Sequence, residues 1–428
     1  MVSLLKLLIA DFHANPVPKG LIKRDLIVPT DAGKMVSVIG PRRAGKSWFL
    51  FSLIEDLIKS VDIKRVVYIN FEDERLSFKA ESLGLIVDAY QQLYPDQPLN
   101  EVFFFFDEIQ EVAGWEKFVR RMTDSISPHL FVIGSSAKLL SREIATTLRG
   151  RTLPYTLLPY SFREYLRVSG EEPDSNNFSS AMRNRLTARF EVFVQQGGYP
   201  EVVRFDEATR LKTLQTYFDV MLYRDVVDRF NVRRPHLVKD FARRLVANNA
   251  QLFSVNKYYR DLKSRSVSVT KDTLYSLIDH FVDACFVTAI NKYDESEAKQ
   301  SQALKKYYVN DTGLINACEF VPAEKAGAMF ESAVMLELLK RDKHINYFAD
   351  KGECDCVVVE RGVVREAIQV CHTLTESNLA REIAGLSGAM QRFGLPEGLL
   401  LTMNQCDQYE TASGVIKVMP AWEWALKL

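Results

Sequence analysis

The sequence predicts an α/β protein in three parts: a parallel sheet with its helices, a helical middle, and a smaller second α/β part. Three observations carry that expectation. Nearly uninterrupted apolar runs alternate with amphipathic stretches over the first third, a glycine-containing octapeptide stands between one such run and the next helix, and the composition shifts near Phe162 and again near Ala323. The 428 residues suit roughly two to four domains, and boundaries are expected at 1–160, 161–322 and 323–428.

The apolar runs are Met35 to Ile39, Val66 to Phe71, Val102 to Phe106 and Leu130 to Ile133. Each lacks polar alternation, the pattern of strands covered on both faces. Ser47 to Ile58 and Glu116 to Ser125 read as the intervening amphipathic helices. From Phe162 to about Val282 helices rich in Arg, Tyr and Phe follow, and polar Tyr293 to Gln302 reads as a surface loop. The last part predicts a helix (Ala328 to Arg341), strands (Cys354 to Val359, Glu366 to Val370), a helix (Asn378 to Arg392) and a strand (Gly398 to Met403).

Composition excludes several classes. Lys+Arg and Asp+Glu both number 55, so no net field draws the whole molecule to nucleic acid or anionic lipid. Six cysteines are thinly spread and form no disulfide framework. The apolar opening Leu4 to Ala10 is too short for an export segment, and no stretch approaches the ~20 apolar residues of a membrane helix. A cytoplasmic protein without membrane contact is expected.

Gly40-Pro41-Arg42-Arg43-Ala44-Gly45-Lys46-Ser47 matches G-x-x-x-x-G-K-[ST] in full, after an apolar run and before a helix opened by Trp48. Such a loop turns backbone N–H groups onto a phosphate, with the helix N-terminus adding positive potential. Residues 40–48 are thus the candidate ATP-binding set, Lys46 reaching the β/γ-phosphates and the Ser47 hydroxyl binding Mg²⁺. Asp107-Glu108 ends a second buried run. Asp107 is placed to join Ser47 in holding Mg²⁺ and Glu108 to act as general base toward water; a plain helix cap is the bland alternative. After the next run, Ser135 reads either as a hydroxyl holding the lytic water or as the cap of a helix from Ala137 to Leu140. Arg149 and Arg151 are candidate fingers for transition-state charge, in cis or across a homo-oligomer boundary, or simply surface arginines.

Taken together, these segments resemble a known family. Gly40 to Ser47, Tyr68 to Asp73, Phe106 to Gln110, Gly134 to Ser136, Arg149 to Arg151 and Leu158 to Phe162 look like AAA-family P-loop ATPases with a C-terminal DUF4143 domain, relatives of the archaeal-type and STAND-like ATPases. Gly197 to Pro200, Lys306 to Leu314, Phe330-Glu331 and Gly352 to Asp355 also resemble that family's pattern. The resemblance spans nearly the whole chain and implies a P-loop NTPase fold with ATP binding and hydrolysis, without naming a substrate.

In the middle part, Ser254 caps a helix to Leu262, and Val269-Thr270 leads into a helix from Lys271 to Val282. Cys285 to Ile290 with Tyr307 to Val309 then suggests a hairpin, completing a winged-helix layout. Lys257, Arg260, Lys263, Arg265 and Lys271 offer a phosphate-contacting face, whereas Asp272 and Asp279 would repel phosphates. Two uses stay open: a lid or protein contact, and DNA contact. The Arg233-Arg234 and Arg243-Arg244 pairs suit either a basic patch or a solvated helix face.

The last part, with Glu331 on a helix, Asp355 on a strand and Gln369-Val370-Cys371 on the next, resembles PD-(D/E)xK endonucleases. In that pattern Gln369 stands for the second carboxylate and Cys371 for the lysine that orients water, so a nuclease-like domain without nuclease activity is expected, unless Glu353 or Glu366 rescues metal binding. Cys354, Cys356, Cys371 and His372 have no standard structural zinc spacing. The functional expectation is an Mg²⁺-dependent ATPase acting as a nucleotide-driven switch on a protein partner. The alternative is an ATP-dependent DNA-binding or nuclease effector, directed for instance against foreign DNA.

Overall fold

The computed structural model describes residues 1–134, 150–173, 178–318, 326–350 and 352–427. The described chain divides into two compact units, residues 1–158 and 159–428. Ser135 and Arg149 lie outside the described residues.

The first unit is the expected parallel α/β layer. Its strands are β1 (Met35–Ile39), β2 (Val66–Asn70), β3 (Phe103–Asp107), β4 (Leu130–Gly134) and β5 (Thr152–Thr156), in the order β2-β3-β4-β1-β5, every pairing parallel. Helices α1 (Val2–Ala14), α2 (Lys46–Leu57), α3 (Leu85–Leu93) and α4 (Trp115–Ser125) accompany it. Phe104, Phe105 and Phe106 are fully buried, which is why β3 carries no polar alternation: both faces are covered. Phe105 stacks on Phe131 of the neighbouring strand at 4.6 Å. Sequence reading placed four of these strands within a residue or so and missed β5. That edge strand contains Pro154 and is only half-buried, so it lacks the apolar run of the interior strands.

In the second unit, the helices Pro235–Ala247, Val255–Ser264 and Lys271–Asp283 are interleaved with β6 (Leu252–Phe253), β7 (Val287–Ile290) and β8 (Lys305–Val309). The three strands form an antiparallel sheet with β8 in the middle. Ser254 and Thr270 accept from the N–H groups of Lys257 and Thr273, capping both helices as their positions predict. The expected loop Tyr293 to Gln302 instead contains a short helix, Glu297–Gln302; its six residues carry no apolar face to signal it. Beyond lie β9 (Ile345–Ala349), β10 (Glu353–Glu360), β11 (Val363–Val370), β12 (Glu397–Thr402), β13 (Asp407–Thr411) and β14 (Gly414–Pro420), in the order β13-β14-β12-β11-β10-β9. The helix Leu379–Phe393 connects the parallel pair β11 and β12. One hydrophobic core runs from Phe162 to Leu426 and takes in the helices, the three-stranded sheet and one face of the larger sheet.

Two motifs that sequence reading left without a role meet inside this unit. Asp311 accepts the N–H of Gly198 at 2.7 Å and that of Leu314 at 3.2 Å, so it joins Gly197-Gly198 to the start of the helix Thr312–Cys318. A Cβ on Gly198 would stand 2.3 Å from the Tyr160 carbonyl oxygen, an approach only glycine permits. Burial raises the Asp311 carboxyl to about 6 against the pull of these N–H donors. Its folded value therefore exceeds the unfolded one, so its contribution to stability is full below about pH 4 and is lost as pH rises toward about 6. Asp311→Asn should erase a slope of up to about 1.4 kcal/mol per pH unit in that window. It should also cost about 1–3 kcal/mol for the lost acceptor. Equilibrium unfolding of both full-length proteins between pH 4 and 7 checks this, and parallel pH profiles would refute it.

Candidate nucleotide site

Strand order assembles the site. β4 lies between β1 and β3, with Ile39 opposite Gly134 and Ile133 opposite Asp107. The carboxyl ends of three strands thus stand side by side, and Asp107 lies two strand spacings, about 10 Å, from the start of the glycine loop. This is the edge where open parallel sheets bind ligands.

The loop is held open by backbone conformation. Arg43 and Gly45 take left-handed φ values of 64° and 88°, and α2 starts with no side chain capping its first N–H groups. Those donors are the ones an anion satisfies. Gly40 passes so close to the Leu157 carbonyl that a Cβ there would sit 2.0 Å from its oxygen. Lys46 is buried and donates to the Gly40 and Pro41 carbonyls at 3.1 and 3.0 Å, folding back over the loop. Arg42 pairs with Glu72 at 3.6 Å, and Trp48 is half exposed.

Asp107 is 2% exposed, next to the Ser47 hydroxyl, and accepts from the Tyr68 hydroxyl at 2.9 Å. Burial raises its carboxyl to about 6, helped by Glu108 and opposed by Ser47, Tyr68 and Lys46. Its Oδ1 is buried with no hydrogen-bond partner. A buried carboxylate oxygen left over beside a serine hydroxyl suits a hard cation, so these residues fit Mg²⁺. Glu108 adopts φ 55°, ψ 37°, a conformation rare outside glycine, and such strain concentrates at functional sites. Its N–H donates to the Ile133 carbonyl at 2.9 Å, and the Gln110 amide donates to its carboxylate.

For Arg151 the structure bears on the role within one chain. Thr152 pairs with Met35 at the start of β1, so Arg151 lies at the opposite end of the sheet, roughly 15 Å of strand from the loop. It pairs there with Asp124 at the end of α4. It cannot serve its own chain's loop. Sequence reading also missed Arg24, which is buried and donates to the Ala44 carbonyl at 2.9 Å and the Leu158 carbonyl at 2.6 Å, bracing the loop from behind. A lone arginine in an irregular stretch carries no spacing signal. Tyr68 had one, since it belongs to a quoted segment.

The three cysteines at 354, 356 and 371 are divided between two cores. The register of β10 against β9 shifts between Cys354 and Val357. Cys354 packs with Cys371, while Cys356 lies in the other core. Among the described residues, no group of three or more His, Cys, Asp or Glu is placed to hold a metal ion, and no helix is long and apolar enough to cross a membrane.

Residues 32–166 match the family model of an AAA domain (AAA_14), and residues 187–325 match a domain of unknown function, DUF8612. With the parallel sheet and its loop, the first unit is an AAA-type P-loop ATPase domain. The chain belongs to the family of "Uncharacterized protein MJ1544" from Methanocaldococcus jannaschii, with 32% identity over 420 residues, 95% of this chain and 91% of that protein. An "Uncharacterized protein" of Haemophilus influenzae is 28% identical over 346 residues, 80% of this chain and 82% of its own length. The family label expected for the last part, DUF4143, is not among these matches, and DUF8612 covers the middle. Among solved structures, the Aeropyrum pernix Orc1 protein in complex with DNA aligns at 13% identity and TM-score 0.29, covering 74% of this chain and 90% of its own. Cdc6p from Pyrobaculum aerophilum aligns at 13% and 0.24, covering 74% and 91%. Likeness at this level says nothing about ligands.

Proposed function

We propose that the protein is an Mg²⁺-dependent ATP hydrolase that works in the cytoplasm as a nucleotide-driven switch on a protein partner. The single observation that carries this reading is the pairing of an uncapped α2 N-terminus at Lys46-Ser47 with a partnerless Asp107 oxygen beside it. Loop N–H groups and Lys46 bind the phosphates, and Lys46 exchanges loop carbonyls for phosphate oxygens when ATP arrives. Ser47 and Asp107 would hold Mg²⁺, which would supply charge neutralisation at the phosphate oxygens. Tyr68 steadies Asp107 by donating to it. Glu108 takes the proton of the attacking water, with Gln110 holding the carboxylate in place. Arg151 reaches a phosphate only from a neighbouring subunit, so a finger role requires a homo-oligomer.

The helix and strand order of residues 235–309 supports the winged-helix reading, and that of 326–402 the nuclease-like one. DNA contact has one observation in its favour: Lys257, Arg260 and Lys263 are exposed at three-residue spacing along one helix. Exposed Asp272 and Asp279 on the next helix weigh against it, so partner contact is the preferred use. Phosphate release by the full chain should require Mg²⁺ and stop with chelator. Mass photometry with ATP, with and without duplex DNA, should show no DNA-dependent species. Absence of phosphate release refutes the hydrolase, and an ATP-dependent DNA complex favours the effector reading.

A further inference from the structure

An ion cluster centred on a buried lysine lies in the second unit. Lys306, on the central strand β8, is 5% exposed at its side chain, and its Nζ reaches Glu353 at 2.8 Å, Glu331 at 3.2 Å and Asp355 at 3.3 Å. Tyr308, two residues on and so on the same strand face, donates to Glu331 at 2.6 Å. The Val370 N–H donates to the second Asp355 oxygen at 3.0 Å. The irregular register of β10 puts Asp355 toward Lys306 and Cys356 into the core beneath, the re-aiming that a bulge provides. Glu366, the other carboxylate considered for rescue, faces Lys343 instead.

Glu331, Asp355 and Gln369 are the positions where the nuclease-like pattern would gather metal ligands, and here Lys306 reaches the first two of them. An ammonium has three donors, and three carboxylates lie within 3.3 Å of the Lys306 Nζ. The Gln369 amide is held on both sides: its oxygen accepts the Asp355 N–H at 3.2 Å and its nitrogen donates to Glu382 at 2.7 Å. The three carboxylates overcome burial and hold the Lys306 ammonium in its charged form. Burial and Glu331 push the Asp355 carboxyl upward, against Lys306.

We infer that Lys306 is the resident cation of this centre: its ammonium stands where the nuclease-like pattern places a divalent metal, and ties β8 to the carboxylates of the helix Ala326–Lys340 and of β10. This inference rests on the nuclease-like reading of residues 326–402 and is independent of the ATPase reading. The centre therefore carries no metal-dependent phosphodiester chemistry. The sequence pattern missed it because the lysine comes from a strand some fifty residues upstream of Asp355, not from the position of Cys371.

Mn²⁺ uptake by the full chain without nucleotide tests the inference separately from ATP hydrolysis. Wild type and Asp355→Asn should take up the same amount of Mn²⁺. Lys306→Met leaves three carboxylates facing one another, so its thermal midpoint should fall by several degrees. Millimolar Mn²⁺ should raise that midpoint while leaving wild type unmoved. Mn²⁺ uptake that depends on Asp355 in wild type overturns the inference, as does a Lys306→Met midpoint indifferent to metal. Mg²⁺-dependent DNA cleavage lost in both Asp355→Asn and Lys306→Met would make Lys306 a catalytic lysine instead, and also overturns it. Should Lys306→Met not fold, the comparison of wild type with Asp355→Asn decides alone.

Discussion

Glu108→Gln should lower ATP turnover by about 10²–10⁴-fold, the usual worth of a positioned general base, while ATP stays bound. Glutamine keeps the length and hydrogen-bonding outline of the side chain but cannot take a proton. The left-handed backbone at residue 108 is set by the turn out of β3 and by the bond from its N–H to Ile133, not by the side chain's charge. The substitution therefore removes chemistry and leaves architecture. Single-turnover phosphate release, read beside retention of labelled nucleotide after gel filtration, separates the two. Turnover equal to wild type would remove Glu108 from the mechanism.

Lys46→Ala should weaken ATP binding by about 100-fold or more, since charge-assisted contacts to phosphate are worth about 1.5–3 kcal/mol each and Lys46 supplies more than one. The fold should survive. Lys46 is buried and bonded to two loop carbonyls, but Arg24 holds the same loop at Ala44 and Leu158. Calorimetric titration gives the affinity, and an unchanged thermal midpoint shows that the loop persists. Loss of binding together with collapse of the fold would assign Lys46 to the scaffold.

These two side chains could be chosen without coordinates because their signals are local. A loop that must curl around a phosphate needs glycine at set places and a lysine at its end, and the acidic pair closes an apolar run that follows such a loop. The doubly covered strands β1 to β4 were legible for the same reason, as was the cap Ser254. The half-buried edge strand β5 and the six-residue helix Glu297–Gln302 lack a period long enough to read. Arg151 shows the limit from the other side: pairing of Thr152 with Met35 puts it at the end of the sheet away from its own chain's loop.

What the sequence by itself determined is therefore the chemistry written within one turn or one strand: the phosphate loop, the acidic tip, and the kind of layer that carries them. Tertiary structure alone decided which distant groups meet. It set β4 between the loop and Asp107, braced the loop with Arg24, joined Asp311 to Gly198, and brought Lys306 among Glu331, Glu353 and Asp355. The physical reason is one of range: turn geometry and burial period act over a few residues, whereas a buried charge takes whatever partner the packing of remote strands supplies.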